Sequence, residues 1–165
     1  METISLLGII VAIVAMAMFF AYLLLMAKLH GIQPSISDNY YVSRHRWTFG
    51  MVMWWVGLGM LPAMLEVTPE MWQFSAFFCC GGVIFVGAAA AFREEVTRQV
   101  HFAGAITSAA GAFLWTACVL PPMAGVGFLT CCGLLLWLSR HVVYWLEVTC
   151  FAMVFMTYIL RLLML

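Results

Sequence analysis

The sequence predicts an all-α integral membrane protein, a bundle of six transmembrane helices. Three observations predict it. Charged residues make up 8% of the chain, against about 25% in a soluble domain. Mean hydropathy is +1.08. Apolar runs of helical length recur along the chain, with none of the period-two alternation that a β-barrel strand requires.

A helical crossing needs about 20 predominantly apolar residues, and that length divides the chain. The first span covers residues 4–29; it lacks a basic leading region and a small-residue cleavage site, so it reads as a retained span rather than a signal peptide. Gly31 and Pro34 stop it. The second covers residues 47–65 and ends before Glu66 and Pro69. The third, residues 71–92, runs into Arg93, Glu94 and Glu95. The fourth, residues 100–120, is stopped by Pro121 and Pro122. The fifth is short, residues 124–138, and the sixth covers residues 142–165. Only Ser139, Arg140 and His141 separate the last two. Without a break there, one helix would be about 63 Å long, twice the hydrocarbon thickness, so the chain must reverse near Arg140.

Small residues gather on the third and fourth spans: Cys79 to Gly82, Gly87 to Ala91, then Gly104, Ser108 and Ala112. The last three follow the small-xxx-small spacing that lets helix backbones approach. They predict close packing and a surface suited to a homo-oligomer. The six cysteines lie inside apolar runs with no C-x-x-C spacing, which predicts small packing residues rather than a disulfide framework or a metal ribbon.

Six crossings put the first, third and fifth connections at one end. That end receives Lys28, Arg44, Arg46, Arg93, Arg98 and Arg140; the other receives only Arg161. The positive-inside rule then makes connections 30–46, 93–99 and 139–141 cytoplasmic, with both termini outside. The cytoplasmic membrane of a bacterium is the expected location. Formal charge is zero, with no basic tract for nucleic acid and no phosphate-cradling glycine loop.

The same end collects the chemistry. All four histidines, His30, His45, His101 and His141, fall there with Asp38, the only aspartate. Glu147 lies six residues past His141, about 9 Å into the last span, where a carboxylate is costly and usually faces a partner or a wet cavity. Ser35, Ser37, Asp38, Tyr41, Arg44, Arg46 and Glu147 are the candidate ligand-binding set: arginines hold phosphates, and hydroxyls and carboxylates bind polar heads. Membrane lipids are the expected partners, with no cofactor, in a non-enzymatic role. Each residue also has a plainer reading: an Asx turn at Asp38, an aromatic belt at Tyr40, Tyr41 and Trp47, pairing of Glu147 with Arg140. One alternative is a zinc-dependent membrane hydrolase with His45, His101, His141 and Asp38 as ligands, although no H-x-x-x-H pair fixes the spacing. Another is an oligomeric pore or membrane effector.

At "PSISD", Pro34 to Asp38, and "VHFAGAITSAAGAFLW", Val100 to Trp115, the chain resembles six-pass membrane proteins of the DRAM/Sfk-like family and related bacterial families of unknown function. The resemblance implies a shared polar cluster of Pro34, Ser35, Ser37, Asp38 and His101, and a link to lipid and membrane homeostasis. It also implies an extracytoplasmic first connection, opposite to the charge count.

Overall fold

The computed structural model describes residues 5–138 and 140–164, and among them every regular element is helical. The expected span ends at residues 4 and 165, and Ser139 in the last connection, lie outside the described residues. Five helical segments are long and apolar enough to cross a membrane. They are α1 (Leu6–His30), α3 (Trp47–Val67), the segment Glu70–Ala88 that contains α4 (Gln73–Ala88), α5 (Glu95–Val119) and α7 (Val142–Leu163). A shorter apolar helix, α6 (Pro121–Trp137), has 17 residues, and α2 (Asn39–Val42) is a single turn inside the first connection.

Local chemistry explains the boundaries. Ser5 caps α1 by accepting the Gly8 N–H at 2.9 Å. Lys28 and His30 occupy its last turn, where the helix dipole favours cations. Gly31 ends it at φ +74°, a left-handed backbone that glycine adopts without penalty. α4 stops at Ala88, short of residue 92. The Ala89 carbonyl accepts from the His101 ring instead of continuing the helical ladder. α5 begins five residues before the apolar run: Glu94 stands extended at its N-cap position and Glu95 sits in the first turn, where an acidic side chain suits the dipole. Hydropathy alone does not detect those polar turns. Pro121 and Pro122 end the fourth span as expected, but they also open α6 three residues early, since proline is pre-organised for a first turn. Only Leu120 separates α5 from α6. The predicted reversal before α7 is present: His141 stands at φ +56°, a conformation uncommon for any residue but glycine.

α1, α3, α4 and α5 lie side by side in chain order, each antiparallel to the last. Glycines bring their backbones together. A Cβ on Gly59 would meet Ala15 at 3.2 Å, one on Gly57 would meet the Cys80 carbonyl at 2.9 Å, and one on Gly82 would lie 2.5 Å from the Gly104 carbonyl. α7 crosses this layer against α5 and α3, and reaches α1 where the tilted rings of Phe151 and Phe19 pack with centroids 4.1 Å apart. α6 packs on α5 and α7, with Gly127 against Met153, and turns its other faces outward. The small residues of the third and fourth spans are thus spent largely within the chain.

Contacts define two ends. At one, the Ser5 N–H donates to Glu66 and the Trp115 indole donates to Thr68. At the other, the first connection touches both Arg93 and the start of α7. The shared end expected from parity is therefore present as direct contact. α6 starts one residue after α5 ends and measures about 25 Å over its 17 residues.

Candidate functional site

The site is built on a strap, residues 31–46, folded over the end of the bundle. Three contacts tie it to α7. The Tyr144 N–H donates to the Pro34 carbonyl at 3.1 Å. The His141 Nδ1 lies 3.0 Å from the Gln33 carbonyl oxygen. The Ile36 N–H donates to Glu147 Oε2 at 2.6 Å. Pro34 starts this arrangement, because it cannot donate and holds the preceding residue extended. The strap then turns through Ser35, whose Oγ accepts the Asp38 N–H at 3.1 Å and donates to Asp38 Oδ2 at 2.9 Å.

Asp38 carries a second connection. Its Oδ1 accepts from Arg93 at 3.0 Å, bridging the strap to the segment between α4 and α5. Tyr41 completes the cluster: its hydroxyl accepts the Arg93 N–H at 2.7 Å, and the Arg93 guanidinium lies 4.1 Å from its ring centre. Ser35, Asp38 and Tyr41 from the expected set therefore meet. Arg93 is the member that sequence reasoning left out of the set. Its signal was present, since parity puts the "REE" segment at this end and Asp38 has no other acidic neighbour in sequence to share a cation with.

The rest of the set divides. Ser37 is buried and Glu147 half-buried, and both point inward to the bundle. Arg44 and Arg46 are exposed; the Arg46 guanidinium lies 5.9 Å from the Tyr40 ring centre. Glu147 takes the Ile36 amide, not Arg140, as its partner.

The four donors named for zinc stand in separate settings. His45 is exposed beside Trp47, with ring centroids 6.4 Å apart. His101 is buried against Phe92 at 4.7 Å, with Nδ1 3.0 Å from the Ala89 carbonyl oxygen. A carbonyl oxygen only accepts, so Nδ1 of His101 and of His141 each carry the proton. Asp38 is engaged by Arg93 and Ser35. Among the described residues, no three His, Cys, Asp or Glu side chains form a group able to hold a metal ion. All six cysteines are free thiols, as their spacing predicts.

Below the strap lies a cavity of about 180 Å³ between α7 and the layer of α3, α4 and α5. Its wall includes Met53, Met60 and Met64 of α3, Ala105 and Ala112 of α5, and Cys150 of α7. Along α3 the lining runs from Phe49 to Met64, about 22 Å of helix. So small a volume over that length is a slot one hydrocarbon chain wide. Ile36, Ser37 and Glu147 close its end at the strap, and its remaining surface is almost wholly apolar.

The chain matches no family model, no curated protein and no solved structure.

Proposed function

We propose that this chain is a six-span membrane protein whose strap end binds lipid headgroups in a non-enzymatic role. In this reading α6 is the sixth crossing. Its 17 residues are at the short limit for a span, and its outward faces are apolar. The cationic bias makes the strap end cytoplasmic, in a bacterial cytoplasmic membrane. The observation that carries the reading is the combination at one end of exposed Arg44 and Arg46 with the Ser35–Asp38–Arg93–Tyr41 cluster and the strap-side end of the slot. Guanidinium groups at headgroup level attract anionic phosphates, and the ordered cluster fixes the strap that presents them. The likeness of "PSISD" to DRAM/Sfk-like proteins points the same way.

Lipid retention tests this. The full chain is purified in a nonionic detergent and its bound phospholipid is quantified by mass spectrometry. The double variant Arg44→Ala/Arg46→Ala is expected to retain several-fold less anionic phospholipid than the wild type, roughly the loss of about 1 kcal/mol per basic residue. Equal retention by both would contradict the headgroup reading.

A further inference from the structure

We propose that the slot beneath the strap is a binding site for a single-chain amphiphile with a cationic head, an alkyl ammonium, whose head meets Glu147. This deepens the reading of the strap end by naming what its buried side takes. Shape gives the chain. The slot is long, narrow and almost wholly apolar, and it lies between helices whose facing side chains are mainly methionine, valine, alanine, cysteine and phenylalanine. An apolar space of this order accepts a hydrocarbon, which supplies packing contacts to its walls.

Charge gives the head. Glu147 sits about 9 Å inside α7 from the strap end and lines the slot. Its Oε2 is held by the Ile36 amide. Among the described residues, no donor reaches Oε1, and the only ion pair is Arg93 with Asp38. Among the described residues, the six basic side chains of this end thus leave the Glu147 carboxylate, inside α7, without a cation. An ionisable group so placed calls for a named partner. A cationic head on the occupant supplies one, and a fatty acid would instead bring a second carboxylate against the first. Ile36 and Ser37 roof the site, so the chain lies along α7 while the head stays under the strap.

The test is native mass spectrometry of the full chain released from detergent after incubation with dodecylamine, 1-dodecanol or dodecanoic acid. The wild type is expected to hold one dodecylamine per chain, with about tenfold preference over dodecanoic acid and 1-dodecanol between them. Glu147→Gln is expected to keep a bound chain but lose the preference for the amine. Ala109→Phe, which places a ring in the slot, is expected to lose every adduct; its thermal melt reports whether it is folded, and Ala105→Leu near the strap end serves if it is not. Equal binding of amine and acid by the wild type overturns the cationic head, and undiminished adducts on a folded slot-filling variant overturn the site. Arg44→Ala/Arg46→Ala is expected to keep the amine adduct, so failure of the phosphate reading and failure of this one give different results.

Discussion

α5 has two small-residue stripes, one residue apart in register, and they meet opposite fates. Gly104 and Gly111 face α4, where backbone fills the space: a Cβ on Gly104 would meet the Gly82 carbonyl at 3.0 Å, and one on Gly111 would strike the Cys79 amide. Ala105, Ala109 and Ala112 face α7, and there the space is not filled. Without a hydrophobic drive between helices in lipid, contact depends on van der Waals fit. The α4–α5 seam achieves that fit, and the α7 face forgoes it along much of its length. Small residues thus license a close approach without requiring one, and where the neighbour holds back they make a cavity. Glu147 stands at the end of that cavity, whereas the seam carries no charged side chain.

The contrast predicts effects of different size and sign. Gly82→Leu should be the most damaging change, because its side chain must displace the backbone of Gly104 and Ser108; destabilisation of about 3 kcal/mol is expected, read as loss of monodisperse protein after detergent extraction. Ala109→Phe on the other stripe should do the reverse, stabilising ligand-free protein by about 2 kcal/mol through burial of a ring in existing space, read as a higher melting temperature. Comparable destabilisation by both changes would erase the distinction between seam and slot. Arg93→Ala should be mildest, below about 1 kcal/mol, since the guanidinium is 64% exposed and surface ion pairs contribute little; a larger loss would show that the strap depends on this bridge.

Much of this architecture is legible in the sequence, because lipid-length apolar runs and their punctuation are strong physical signals. Gly31, Pro34 and the Pro121–Pro122 pair mark real boundaries, and parity brings Asp38, Arg93 and Glu147 to one end. Helix boundaries depart from the apolar runs where polar residues extend a helix, as at Glu95, or where a side chain captures a carbonyl, as His101 does at Ala89. The candidate site was only partly legible. Residue type marks Asp38 and Glu147 as costly, but not that Ile36 would cover one and Arg93 pair with the other. The histidines share an end without sharing a centre, because parity fixes depth and leaves the position around the bundle open. The slot has no sequence signature, since Met53, Met60 and Ala109 read the same whether or not a neighbour fills the space beside them.

The central claim is that the space beneath the strap receives a hydrocarbon chain. Photolabelling with a dodecylamine carrying a diazirine at mid-chain, mapped by peptide mass spectrometry, tests it most directly. The account predicts labels on inward residues of the slot such as Met53, Met60 and Ala109, competed by unlabelled dodecylamine. Labels confined to the outward residues Phe128, Leu129 and Leu136, insensitive to competition, would contradict it.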